Sequence, residues 1–211
     1  MATENRNVQI VVADPTPLGL LGLSIVTLVA ASQKLGITSG VSFVIPWAIF
    51  LGAIAQLFAC VYDFKHNNIF GATVFGAFGL FWLGVAASWM IKAGVLGEVL
   101  AKSVDPKQLG FAFLGFFIFA VIGTIAAAEA NFVLFLDMVF IDLLLLGLAL
   151  DTLGIGGHWA HGMAAYAELI VSMISFYLCG ATFLNKFFGR VFWPVGKPLG
   201  IWKKAPAPAG H

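Results

Sequence analysis

Charged side chains are scarce in this chain of 211 residues: Asp, Glu, Lys and Arg make up 10% of it, while hydrophobic residues make up 61%. A soluble domain carries about 25% charged residues, so a surface of that ordinary kind is excluded. The formal net charge is only +1, which removes the electrostatic basis for binding nucleic acid. The scarcity of charge therefore predicts a surface that faces a lipid bilayer.

Cysteine is also rare. Cys60 and Cys179 both lie in apolar stretches, which predicts small packing residues rather than a disulfide framework. A cleavable signal is missing as well, because the first ten residues are polar and no short apolar region with a small-residue cleavage site follows them. We therefore expect the first apolar stretch to remain in the mature protein.

Long apolar stretches are what the sequence has in abundance. Several are free of charge over the roughly 20 residues that a helix needs to cross a bilayer, and they lack the alternation of barrel strands. Lipid favours helices because a helix satisfies its own backbone hydrogen bonds. Asp105 and Pro106, which end the longest connector, predict an N-cap followed by proline at the first helical position. We predict an all-α polytopic membrane protein with one domain (1–211) and six spans, at about 17–32, 41–62, 69–91, 109–128, 132–150 and 162–185.

Six spans place both termini on one side of the membrane, and we predict that this side is the cytoplasmic side of the cell inner (plasma) membrane. Basic residues are commoner in cytoplasmic segments, and this orientation leaves fewer of them outside. The tail 203–211, rich in Ala and Pro, is predicted to be disordered. The inner segments then hold Arg6, Lys65, Lys186, Arg190, Lys197, Lys203 and Lys204, and the outer ones Lys34, Lys92, Lys102 and Lys107.

The start of the first span carries two closely spaced prolines. Pro15 and Pro17 lack backbone donors and have a fixed φ, which suits a chain entering a helix. Gly19 permits the close approach of a backbone or a ligand, and free amides in the next turn form a positive end that can hold a carboxylate. The alternative is a helix start capped by Asp14, without a ligand.

Three acids fall inside predicted spans: Asp137 and Asp142 in the fifth and Glu168 in the sixth. A charge at the bilayer centre costs roughly 2.5–3.5 kcal/mol on insertion scales. Each acid must therefore face a protein interior, a pore or a subunit interface, or be neutral. We hypothesise that at least one exchanges a proton as the protein works; an equally supported alternative is a hydrogen bond between helices or protomers.

The sequence offers little for catalysis. His158 and His161 are three residues apart, but a third ligand is not evident, and zinc sites generally use three or four. The glycine-rich stretch 154–157 has no preceding strand, so a dinucleotide-binding loop is excluded. A nucleophile with an adjacent base is also missing. We therefore predict no metal, no cofactor and no enzymatic activity.

Three ordered blocks of sequence carry a resemblance to a known family. They are Asp14-Pro15-Thr16-Pro17-Leu18-Gly19-Leu20; Gly52-Ala53-Ile54-Ala55-Gln56-Leu57-Phe58-Ala59 with Phe70-Gly71-Ala72-Thr73 and Phe81-Trp82-Leu83; and Leu184-Asn185, Phe188-Gly189-Arg190 and Pro194-Val195-Gly196. The pattern resembles the acetate uptake transporter family, which includes the microbial succinate–acetate permeases and yeast acetate transporters and has the signature Asn-Pro-Ala-Pro-Leu-Gly-Leu. Here Asp14 replaces Asn and Thr16 replaces Ala, and an ionised Asp14 would repel an anion unless it caps the helix or is protonated.

The resemblance implies a six-helix protomer in a ring-shaped homo-oligomer, commonly a hexamer. It also implies passage of acetate, succinate and similar small carboxylates, with a proton or through a channel-like pore. The family has a hydrophobic constriction of Phe, Tyr and Leu, and the corresponding positions here are Leu23, Phe78 and Phe140. All three are apolar, so the resemblance implies a dry gate.

Two further residues are assigned to the pathway. Gln56 lies near the middle of the second span, where its amide can donate to a carboxylate; the alternative is a hydrogen bond to a neighbouring helix. Trp82 lines the same route or merely packs. Two other functions stay open: a hexameric channel for small neutral solutes such as urea or water, and a membrane scaffold or sensor. The predicted substrate pathway comprises Leu18, Gly19, Leu20, Leu23, Gln56, Phe78, Trp82 and Phe140.

Overall fold

Six long helices dominate the computed structural model, which describes residues 12–202. All regular secondary structure in this range is helical, and six helices are long and apolar enough to cross a membrane. The predictions of an all-α protein and of six such helices are confirmed, whereas the tail 203–211 lies outside the described residues. The six are α1 (Thr16–Lys34), the second span (Val44–Lys65), α4 (Ile69–Lys92), α6 (Pro106–Ala127), α7 (Phe132–Thr152) and α8 (Gly157–Phe187).

The second span changes its winding along its length. It comprises α2 (Val44–Trp47), a π-helical segment (Ala48–Ala55) and α3 (Gln56–Lys65). The connector between α4 and α6 contains one short helix, α5 (Glu98–Lys102). π-Helical turns are rare and are frequent at functional sites, and this one ends directly before Gln56.

Two spans begin earlier than their apolar stretches indicate. α6 begins at Pro106 rather than near 109, because Asp105 Oδ1 accepts a hydrogen bond of 3.0 Å from the Lys107 amide and caps the helix. That cap is the one the sequence predicted. α8 begins at Gly157 rather than near 162, after Gly156 turns the chain with a φ of 89°. A helix continues past the apolar stretch because its backbone hydrogen bonds do not depend on side-chain polarity.

The six spans form a closed ring within one chain, here called the helix ring. In order around it, α1 contacts α8, α8 contacts α7, α7 contacts α6, α6 contacts α4, α4 contacts the second span, and the second span contacts α1. The side where α1 begins and α8 ends is called the proximal face, and the opposite side the distal face. A ring of this order can enclose a path along its own axis.

Glycines allow the helices of this ring to approach closely. A methyl group at Gly22 of α1 would collide with the backbone carbonyl of Leu51 in the second span. At Gly147 of α7, a methyl group would lie 2.8 Å from the backbone nitrogen of Ala164 in α8. Small residues at such contacts are typical of helix packing in membranes, where the packing itself drives association.

Aromatic side chains fill the ring on its distal side. The ring of Phe81 lies 5.5 Å from that of Trp82, 5.8 Å from that of Phe113 and 4.9 Å from that of Phe116, measured between centroids. Phe81, Trp82 and Phe113 are all buried. These contacts close the axis of the ring toward the distal face and leave the proximal half more open.

Four polar contacts join α1 to α8. Ser172 Oγ donates to the Ser24 carbonyl at 2.8 Å, and Cys179 Sγ donates to the Pro17 carbonyl at 3.2 Å. Near the distal face, Lys34 Nζ lies 2.8 Å from Glu168 Oε2. There His161 Nε2 also lies 3.1 Å from the Lys34 carbonyl oxygen, and its Nδ1 lies 3.0 Å from Asp151. The first and last spans are therefore fastened along most of their shared length.

Candidate substrate pathway

A cavity of about 610 Å³ occupies the proximal half of the helix ring. All six spans and the turn between α6 and α7 contribute to its wall. Most of the lining is apolar, with aromatic and branched side chains from α4 and α7. The polar side chains that line it are Thr16, Gln56, Asn68, Glu129, Asn131, Asp137 and Thr182.

Four residues form the inner end of this cavity, called the floor: Leu23, Gln56, Phe78 and Ile141. Phe78 follows Ile69, the first residue of α4, by nine positions, which is about 14 Å along a helix. Beyond the floor lie the buried aromatic side chains of the distal half. Leu23 and Phe78, two of the three predicted constriction residues, are therefore brought together at one level.

Phe140, the third predicted constriction residue, does not line the cavity. It is only partly buried and packs beside Leu144, Ala164 and Ala167, toward α8. Ile141, the next residue, takes the place on the cavity wall. Successive helical residues are rotated by about 100°, so a one-residue error in register turns a side chain from the axis to a neighbouring helix.

The prediction of free amides at the start of α1 is wrong. The amides of Leu18 and Gly19 both donate to the Pro15 carbonyl, at 3.0 and 3.2 Å. Leu18 is 45% exposed and is not part of the cavity wall, whereas Leu20 is. Gly19 has a packing role, because a methyl group there would lie 2.6 Å from the ring of Phe75.

Asp14 is neutralised by a neighbouring helix. Its carboxylate pairs with Lys186 at the end of α8 and accepts a 2.9 Å hydrogen bond from the Thr16 amide. Burial raises the pKa of Asp14, but the hydrogen bonds from Lys186 and Thr16 outweigh it and hold the pKa below its ordinary value. The N-cap itself is Pro15. An ionised Asp14 therefore anchors α1 to α8 and does not stand as an unpaired charge against an anion.

Gln56 reaches the cavity from the end of the π-helical segment. Its Nε2 donates to the Gly52 carbonyl at 2.8 Å, within its own span, and its Oε1 has no partner among residues 12–202. A carbonyl can only accept, so this contact fixes the orientation of the amide. Gln56 therefore keeps a buried acceptor without a partner beside the cavity, and its amide makes no hydrogen bond to a neighbouring helix, the alternative that we considered.

Trp82 packs and does not line the cavity. The side chain is buried, and a methyl group at Gly52 would lie 2.7 Å from its ring. Trp82 also contacts Phe81 edge to face and lies 6.5 Å from Trp89 between ring centroids. It belongs to the aromatic packing that closes the distal half.

The three embedded acids have three different environments. Asp137 lines the cavity; its Oδ2 accepts from Ser175 Oγ at 3.0 Å, and its Oδ1 has no partner among the described residues. Asp142 accepts from Thr124 Oγ1 of α6 at 2.8 Å. Glu168 pairs with Lys34. Asp137 is thus the one embedded acid of the three that reaches the cavity.

Residues 188–202, called the C-terminal strap, were not assigned to the site from the sequence. The strap is fastened across the turn between α6 and α7: the Leu199 amide donates to the Ala128 carbonyl at 2.8 Å, and the Trp202 amide donates to Glu129 Oε1 at 2.8 Å. Trp202 and Glu129 both line the cavity. The strap therefore supplies one edge of the cavity mouth. The third block of the family resemblance, which overlaps the strap, was the only feature of the sequence that pointed to this segment.

Comparisons with known proteins agree with this geometry. Residues 3–194 match the family model described as GPR1/FUN34/yaaH family. The succinate-acetate/proton symporter SatP of Escherichia coli (strain K12) is 33% identical over 192 residues, which cover 88% of this chain and 96% of that protein. Ammonia transport outward protein 2 of Saccharomyces cerevisiae is 31% identical over 172 residues, 78% of this chain and 59% of that protein.

A solved structure is also similar. The structure of the bacterial acetate channel SatP matches with a TM-score of 0.82 at 28% sequence identity, over 88% of this chain and 100% of that one. The named relatives are transporters or channels, which supports the prediction of a transporter rather than an enzyme. The shared fold places this chain among multi-pass membrane proteins.

Proposed function

The chain belongs to the GPR1/FUN34/yaaH family, and we propose that it carries acetate and related small carboxylates, including succinate, across a membrane. One observation carries this function: the six spans enclose a cavity on the axis of the helix ring, in a fold that matches a bacterial acetate channel. All six spans of a single chain contribute to the cavity wall, and we propose that each protomer has a pathway of its own.

The substrate enters at the proximal face and meets a polar mouth before an apolar interior. Asn68 and Asn131 offer amide groups at the mouth, where a carboxylate first loses water. Deeper in, Leu23, Phe78 and Ile141 form the constriction, with Ile141 in the place predicted for Phe140. Hydrophobic constrictions gate by excluding water, so small, partly dehydrated acids pass most easily. The distal aromatic side chains must move for passage to be completed.

The proposal includes a homo-hexameric ring in the cell inner membrane with both termini in the cytoplasm, as the family resemblance and the basic residues indicate. Lys34 was counted among the outer basic residues. It is 13% exposed and paired with Glu168, so it contributes little to the outer charge. This pairing strengthens the bias that favours the proximal face as the cytoplasmic one.

A channel for small neutral solutes such as urea or water is the second candidate. The observation in its favour is that the cavity-lining residues among 12–202 include neither Lys nor Arg. Measuring the uptake of labelled urea beside that of labelled acetate in the same vesicles separates the two functions, because a carboxylate carrier transports acetate and not urea.

Replacing Phe78 by Ala should widen the floor and speed the uptake of labelled acetate into proteoliposomes. Removing even ~1.4 kcal/mol from the barrier raises the rate about tenfold, and bulkier carboxylates should gain more than acetate. The matched control is Phe111→Ala, because Phe111 is 65% exposed on α6, away from the cavity. Equal uptake rates for the two variants would contradict the assignment of Phe78 to a constriction. A wild-type protein that carries no carboxylate would contradict the proposed function.

A further inference from the structure

Two residues that line the cavity each hold a buried acceptor atom without a partner among residues 12–202: Oδ1 of Asp137 and Oε1 of Gln56. Asp137 is 2% exposed and Gln56 is 0% exposed. The other end of each side chain is held, by Ser175 and by the Gly52 carbonyl, so both side chains are fixed in orientation. A buried acceptor without a donor costs free energy, and a ligand that brings a donor recovers it.

The described part of the wall offers little to hold a bare anion at this depth. Its charged side chains are two acids, Asp137 and Glu129, and the Glu129 carboxylate accepts from the Trp202 amide at the mouth. The hydroxyl and amide donors of the wall other than Gln56 lie nearer the mouth. An ionised substrate beside an ionised Asp137 would place two like charges in a medium of low dielectric constant.

The other acids and thiols of the packed helices do not line the cavity, although Asp142 Oδ1 and Asp63 Oδ2 are also buried without a partner among residues 12–202. On α7, Asp142 turns to Thr124 of α6. On α8, Glu168 pairs with Lys34 of α1, and Cys179 donates to the Pro17 carbonyl. On α3, Asp63 accepts from Asn68 and Cys60 packs in an apolar cluster, and neither lines the cavity. The cavity-lining residues of α1 and α4 carry no titratable side chain.

We propose that Asp137, with Gln56 as a second acceptor, forms a site that holds the small carboxylate together with one proton shared between the two carboxyl groups. The proposal rests on the proposed function and deepens it, because it names the protonation state of the bound species. The proton comes from the solution at the proximal face, either on the substrate or on Asp137. When it moves between them, the O–H bond that breaks on one carboxyl group forms on the other, and it leaves with the substrate.

Two properties follow from a site of this kind. A monocarboxylate that crosses with one proton carries no net charge, so a pH gradient drives its uptake and a voltage does not. Small ligands that bring their own donors compete for the site at any pH, whereas anions that stay unprotonated, such as nitrate, can compete only where Asp137 carries the proton. Acetamide is the sharpest probe, because it has the shape of acetic acid, carries N–H donors and is neutral at every working pH.

Asp137→Asn tests the proposal, with Asp142→Asn as the matched control five residues further along the same helix. Asparagine supplies a permanent N–H donor, so the variant should take up the anion without a proton. A one-unit inward pH gradient drives about tenfold accumulation of labelled acetate when one proton is coupled. We expect this accumulation in wild type and in D142N, and its loss in D137N, where uptake should follow an imposed voltage instead.

The outcomes separate this inference from the function on which it rests. Protein-free liposomes report the passive leak of acetic acid, which is subtracted, and size-exclusion chromatography shows whether each variant is folded. A wild type without acetate uptake overturns the proposed function. A wild type that carries acetate, with D137N behaving like D142N, overturns the shared proton alone. If D137N does not fold, competition in wild type decides: inhibition of acetate uptake by acetamide supports the site, and its absence overturns it.

Discussion

Replacing Lys34 by Met should destabilise the protein by about 3–5 kcal/mol, the usual result of removing one partner from a buried ion pair. Lys34 Nζ lies 2.8 Å from Glu168 Oε2, and the Glu168 side chain is 1% exposed. Methionine keeps the length of the apolar stem and removes the charge, so Glu168 would lose its cationic partner inside a span, where a lone carboxyl group is costly whether it stays ionised or takes up a proton. Thermal unfolding in detergent measures the effect, and a domain of this size loses about 2–4 °C per kcal/mol.

The matched control breaks an ion pair that is exposed to water. Lys102 and Glu98 are 2.9 Å apart with side chains 77% and 84% exposed, and such a pair contributes about 0.5 kcal/mol or less. Lys102→Met should therefore leave the unfolding temperature nearly unchanged. The double variant Lys34→Met with Glu168→Gln should recover much of the lost stability, because both charges are then absent. Equal unfolding temperatures for K34M and K102M would contradict the buried pair.

Gly22→Ala should give the next largest loss of stability, about 1–3 kcal/mol, as overpacking in a well-packed interior does. The added methyl group would meet the backbone carbonyl of Leu51, which cannot rotate away as a side chain can. α1 must then move away from the second span and take Leu20 and Leu23 with it. The unfolding temperature and the rate of acetate uptake should therefore fall together.

The control for this prediction is Gly84→Ala in α4. A methyl group at Gly84 meets no atom within 4 Å, and Ala is a better helix former than Gly by about 1 kcal/mol. G84A should therefore leave the unfolding temperature unchanged or raise it slightly. If G22A retains the stability and the uptake rate of G84A, the close approach of α1 to the second span does not limit the fold.

The six spans could be predicted because hydrocarbon imposes a length and a composition on every helix that crosses it. The register of those helices could not. Phe140 and Ile141 are both apolar and adjacent, and their side chains alone do not say which of them faces the axis. The packing of α7 against α8, through Gly147 and the backbone of Ala164, and against α6, through Asp142 and Thr124, sets that rotation.

The embedded acids illustrate the same limit. The sequence marks Asp137, Asp142 and Glu168 as costly in lipid, but their partners come from other helices. Lys34, for example, is separated from Glu168 by 134 positions along the chain. At the start of α1, the predicted carboxylate site failed for a similar reason: the amides of Leu18 and Gly19 donate to the Pro15 carbonyl and are not free for a ligand. Composition identifies unusual residues, and the fold determines what they do.

The pairing of the first span with the last has a consequence for how the protein is made. α1 leaves the ribosome before its partner α8. Until α8 follows, Ser24, Pro17 and Lys34 lack the contacts that α8 supplies, and Glu168 has not entered the bilayer. The helix ring can therefore close only after α8 has been synthesised, and until then the preceding spans lie open to lipid or to the insertion machinery along the edge that α8 will cover.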